Sequence, residues 1–103
     1  MRVRVTDQVY EDLTSFYDVS LRNHPALDEA TVLAKEQRLI NALERIGQFP
    51  YGYRRAKYKA RWIAAGYRDF HHEGFHFGYR VETLPSGEKV VVVYEACHDL
   101  LFT

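Results

Sequence analysis

The spacing of apolar residues changes near Pro50: before it they recur every three or four positions, and after it they alternate. The opening "RVRVT" alternates strictly, with Val3 and Val5 to one side and Arg2 and Arg4 to the other, as a half-buried strand does. Thr6 or Asp7 then suits a helix N-cap, because its side-chain oxygen can accept a free backbone N–H. Val9, Leu13, Phe16, Tyr17 and Leu21 follow on one helical face. Pro25 predicts the end of that helix, because the residue before a proline disfavours helical dihedrals. Asp28 can cap a second helix, whose stripe is Val32, Leu39, Ile40, Leu43 and Ile46, interrupted by Glu36. Gly47 reads as its C-cap, with Pro50 beyond. Two amphipathic helices with a short connection predict an antiparallel helix hairpin.

Beyond Pro50, "YRDFHH", "FHFGYRVE" and "KVVVVYEAC" read as three strands. Glu73-Gly74 and "LPSGE" supply the turns between them. In the middle strand Phe75, Phe77, Tyr79 and Val81 share a face that needs cover, and His76, Gly78, Arg80 and Glu82 share the other. The helix hairpin supplies the cover. The expected fold is a single α+β domain over residues 1–103, a two-layer β-α-α-β-β-β arrangement with the helix hairpin on one face of a small, mainly antiparallel sheet.

Composition narrows the class. The 103 residues are 47% apolar and 27% charged, a globular profile. No apolar run nears the roughly 20 residues that span a membrane, and the start lacks an apolar signal core, so a cytoplasmic protein without a membrane partner is expected. Cys97 is the only cysteine, which suits a reducing compartment and excludes an internal disulfide. Fourteen basic and fourteen acidic residues cancel, which argues against a general coat for polyanions. The charge is uneven, however. "RRAKYKARW" holds Arg54, Arg55, Lys57, Lys59 and Arg61 with no acid, interleaved with Tyr58 and Trp62. It reads as a solvated loop or as a phosphate-binding edge with stacking rings. Trp62 itself reads as core or rim packing, and Cys97 as a small packed side chain.

"HHEGFHF" contains His72-Glu73-Gly74-Phe75-His76, which fits H-E-x-x-H, a zinc-protease motif. That motif needs a helix to bring both imidazoles onto one face. Here Gly74 lies inside it and alternating segments flank it. If Glu73-Gly74 is a hairpin turn, His72 and His76 point to opposite faces and cannot chelate together. No metal and no cofactor are expected. The same geometry brings His71, His76, Asp69 and Arg80 together on the face away from the helices, with Tyr67, Glu95 and His98 bordering them if the register allows. Such a set can be an ordinary polar sheet face. It also holds what RNA backbone cleavage needs: imidazoles for proton transfer and a guanidinium for phosphate charge.

The order of elements, and the string "GFHFGYRVE…EKVVVVYEACHDLLF" in particular, resembles the RelE/ParE superfamily of bacterial toxins from type II toxin–antitoxin systems. Residues 74–81 occupy that family's "G-Y-R-x-x-Y-R-V" strand, with His76 at the arginine position. Residues 89–93 match its last strand, "CHDLLF" its ending, and "DQVYEDLTSFYD" and "NALERIGQFP" look like its two helices. The resemblance implies growth inhibition, silenced by a cognate antitoxin that wraps the toxin. RelE-like members cleave mRNA on the ribosome through groups on the open sheet face, whereas ParE-like members inhibit DNA gyrase. A non-catalytic binding module with the same fold is a third possibility. Under the nuclease reading, His76 or His71 is the general base or acid of a metal-independent endoribonuclease. Arg80 stabilises phosphate charge, His98 is a second proton-transfer candidate, and Lys57, Lys59, Arg61 and Arg68 position the RNA.

Overall fold

The computed structural model describes residues 1–24 and 26–102. Their order is β1 (Val3–Val5), α1 (Asp7–Asn23), α2 (Glu29–Ala42), α3 (Glu44–Gln48), α4 (Ala60–Ala65), β2 (Arg68–His72), β3 (Phe75–Thr83) and β4 (Lys89–His98), closed by a 3₁₀ turn at Asp99–Leu101. The four strands form one sheet in the order β1-β4-β3-β2, with β1 parallel to β4 and the other pairs antiparallel. This is the expected α+β arrangement of a helix pair on a mainly antiparallel sheet. No helix among the described residues is long and apolar enough to cross a membrane.

The apolar stripes bury as their periods require. Val9, Leu13 and Tyr17 of α1 and Val32 and Leu39 of α2 join Phe75, Phe77 and Tyr79 of β3 in one core cluster. Asp28 caps α2, its carboxylate accepting the Thr31 N–H at 2.7 Å. Thr6 precedes α1, but its hydroxyl donates to the Tyr94 carbonyl at 2.8 Å and so ties the helix start to β4. Pro25 lies outside the described residues; α1 ends at Asn23, with the next N–H, that of His24, bonded to Ser20 O at 2.9 Å.

Two departures from the sequence pattern shape the molecule. The single second helix is split, because Leu43 N–H bonds Ile40 O at 3.1 Å and tightens the turn between α2 and α3. Gly47 lies inside α3 and is not a C-cap; a Cβ there would collide with the Met1 carbonyl oxygen, so the glycine lets β1 approach. The second departure is α4. Part of the cationic stretch expected as a solvated loop forms this helix, closed by Gly66 at φ 73°.

α4 covers the sheet face that alternation alone leaves open. Trp62 is fully buried, and Gly78 of β3 makes room for it. A Cβ on Gly78 would lie 3.1 Å from the indole and 2.7 Å from the Tyr67 ring. Tyr67 and Phe102 pack edge-on against Trp62, at 5.8 and 5.0 Å between ring centroids. The outer face therefore carries its own small aromatic layer.

A bulge decides which β4 side chains join that face. Gly78 pairs with Glu95 but Tyr79 with Val93, so Tyr94 is the extra residue. Beyond it, Ala96 and His98 pair with Phe77 and Phe75 on the helix side, and Cys97 pairs with His76 on the outer side. Gly78→Ala is expected to lower the unfolding free energy by about 1–3 kcal/mol, the usual cost of overpacking. Urea unfolding followed by Trp62 fluorescence measures this, and an unchanged midpoint would show that the indole does not rest on the glycine.

Candidate functional site

The β2–β3 hairpin turns through Glu73 at φ 47° and Gly74 at φ 84°, both left-handed, as a tight two-residue turn requires. That turn sets the register His71 opposite His76 and His72 opposite Phe75. His72 stacks on Phe70 at 5.9 Å on the helix-side face, so the two histidines of the H-E-x-x-H string stand on opposite faces, as expected. His71 and His76 share the outer face, with ring centroids 4.4 Å apart.

Two carboxylates join these imidazoles. Asp69, one turn of the pleat before His71, is buried, and both its oxygens lie 2.9–3.0 Å from His76 Nδ1. Asp99 enters from the 3₁₀ turn, where its N–H donates to Gly74 O at 2.9 Å and so pins it to the hairpin. Its Oδ1 lies 2.9 Å from His71 Nε2 and 2.8 Å from His76 Nε2. The result is an alternating chain, Asp69–His76–Asp99–His71, running from the interior to solvent. The His76 side chain is 12% exposed and that of His71 is 51% exposed. Phe102 stacks on His76 at 3.9 Å and closes its outer surface.

The remaining predicted residues are distributed around this chain. Arg80 stands four residues along β3, with Trp62 over the intervening Gly78. Its Nε donates to Glu82 at 2.6 Å and its Nη1 to Ala65 O at 3.0 Å, while Tyr94 lies under its guanidinium at 5.1 Å. At roughly 3.3 Å of rise per residue, four residues separate its backbone from that of His76 by about 13 Å. His98 is on the helix side, stacked on Phe16 at 4.2 Å, and its Nδ1 accepts Leu100 N–H at 3.2 Å. It steadies the turn that carries Asp99 and does not border the histidine pair.

Lys59 Nζ lies 3.9 Å from Cys97 Sγ, and Cys97 is the cross-strand partner of His76, so this ammonium stands beside the site. Burial pushes the Cys97 thiol above its ordinary pKa, with Lys59 opposing that shift. The Arg61 guanidinium pairs with Glu95 at 2.7 Å. Lys57 is exposed. Arg68 donates to Tyr53 O at 2.8 Å, on the far side of β2 where residues 54–56 line the strand edge. Exposed Tyr51 and Tyr58 lie under Arg68 and Arg54 at 5.7 and 5.9 Å.

Asp99 and Phe102 are the site residues that alternation does not reveal, because they follow the last strand and reach His76 by chain reversal. The chain can place an imidazole nitrogen at solvent next to a second one shielded from it, with carboxylates to hold both rings. It can also offer His71, His76 and Asp99 to a metal, since one ligand atom from each lies within 4.8 Å of the others. No protein-family model, no curated protein and no solved structure matches the chain.

The two carboxylates should differ in weight. Asp69→Ala leaves the half-enclosed His76 ring without its Nδ1 partner and is expected to cost about 1–3 kcal/mol. Asp99→Ala acts on a group 44% exposed and is expected to cost about 1 kcal/mol or less. Chemical unfolding of the two variants measures the difference; equal losses would mean that Asp69 is not the interior anchor.

Proposed function

We propose that this protein is a toxin of the RelE/ParE kind, paired with an antitoxin, and that it cuts mRNA on the ribosome with acid/base groups on the outer sheet face. The observation that carries the reading is the pair of imidazoles sharing Asp99, one exposed and one half-enclosed. Cleavage at a 2′-hydroxyl needs a base to take that proton, an acid to give one to the departing 5′-oxygen, and a cation for the phosphate. His71, open to solvent, is assigned the base. His76, backed by Asp69, is assigned the acid. The phosphorus–oxygen bond to the 5′-oxygen breaks as the 2′-oxygen bonds to phosphorus, leaving a cyclic phosphate and a 5′-hydroxyl. No metal or cofactor enters these steps.

Lys59 takes the phosphate-binding role with exposed Lys57, while Arg61 is already paired with Glu95. Arg80, committed to Glu82 and Ala65, is left to hold the sheet face together. The antitoxin reading is supported by an apolar groove of about 620 Å³ between α1 and the end of β4, lined by Phe16, Val19, Leu100 and Leu101 among others. β1 pairs only Val91–Val93, so residues 95–98 of β4 have a strand edge beside this groove. Asp12 accepts the Ala96 N–H on that edge at 3.0 Å, and an added strand would displace this carboxylate to bond the backbone.

Expression without antitoxin tests the reading. Growth arrest with cleaved mRNA in primer extension is expected. His71→Ala should reduce cleavage by about 10²–10⁴-fold, the usual share of one acid/base group. Arrest that persists in His71→Ala with intact mRNA and inhibited gyrase supercoiling would overturn the nuclease and favour the gyrase reading. No arrest at all would overturn the toxin assignment.

A further inference from the structure

We propose that His71, His76 and Asp99 form a binding site for a divalent first-row transition ion. The donor set is two imidazoles and one carboxylate, a combination suited to Zn²⁺ and its neighbours in the series. Three features beyond the donor set point to an ion. First, both Nε2 atoms converge on the same carboxylate oxygen, at 2.9 and 2.8 Å. An ion with bonds of about 2.0–2.2 Å holds neighbouring ligand atoms roughly 3.3 Å apart, so each of these two N···O spacings needs to open by only about half an ångström.

Second, buried Asp69 sits on His76 Nδ1 at 2.9 Å. It accepts the Nδ1 hydrogen and leaves the Nε2 lone pair as the ligand. Ligating histidines in metal proteins are oriented by such carboxylates. Third, the site is half-shielded. Phe102 covers one side of His76, while His71 and Asp99 face solvent. An ion has an entry path and an open coordination position for water. The backbone that carries the three ligands is fixed by the hairpin turn and by the Asp99 N–H bond to Gly74 O at 2.9 Å. The zinc-protease string thus contributes one ligand, His76, and the adjacent His71 supplies what His72 cannot.

The site stands without the toxin reading. Where that reading holds, the ion occupies the lone pairs that proton transfer needs, and the metal-loaded form is the silent one.

Calorimetric titration of the metal-free full chain with Zn²⁺ tests the inference. One equivalent is expected to bind. His71→Ala and Asp99→Ala, both at exposed positions that leave the fold intact, should weaken binding at least ~10-fold, as should Asp69→Asn, within the ~10–100-fold range of outer-shell partners. His24→Ala, at an exposed position on the far end of α1, should bind as the parent does. The inference is overturned if the parent chain takes up no Zn²⁺, or if uptake is unchanged in both His71→Ala and Asp99→Ala. Binding is read on purified protein and growth arrest in cells, so either proposal can fail while the other survives.

Discussion

Trp62 resting on Gly78 is the contact on which the outer half of the molecule depends. A sheet residue without a side chain admits an indole close against the backbone, and the fully buried indole holds α4 on the sheet. Among the described residues the indole Nε1 has no hydrogen-bond partner. Leaving such a group unpaired costs about 1–3 kcal/mol. Burying roughly 200 Å² of indole contributes about 5 kcal/mol, so the apolar term wins. With Trp62 in place, Phe102 has an aromatic neighbour to pack on, and His76 becomes half-enclosed. Enclosure lowers the local dielectric and strengthens the Asp69–His76 pair. One glycine thus connects the packing of the outer layer to the electrostatics of its histidines.

The bulge at Tyr94 is the second constraint. It places Tyr94 and Glu95 together on the outer face and reverses the parity of everything after them. Tyr94 then bonds Glu82 at 2.9 Å and lies under Arg80, while Glu95 holds Arg61. These contacts build a polar rim of paired charges along the outer face, beside the histidine–carboxylate chain.

Much of this was legible in the residues. The change of period at Pro50, the Asp28 cap and the Glu73-Gly74 turn are local rules, and local rules fix the helix pair, the strands and the opposition of His71 and His76. What escaped was non-local. The helix at 60–65 is too short to show a period, and the cationic run around it suggests solvent. Only Gly78, distant in sequence, reveals where Trp62 goes. The bulge defeats strict alternation, so His98 falls on the helix side although its neighbours suggest the outer face. Asp99 lies past the last strand, where no periodic pattern extends.

Long-range ¹H–¹⁵N spectra of the histidine rings, compared between the parent chain and Asp99→Asn, test the central claim most directly, because they read the shared carboxylate without assuming an activity. If one carboxylate joins both imidazoles, the ring resonances of His71 and His76 shift together while those of His24 and His72 stay in place. A shift confined to either His71 or His76 alone, or to neither, would contradict the joined cluster on which the account is built.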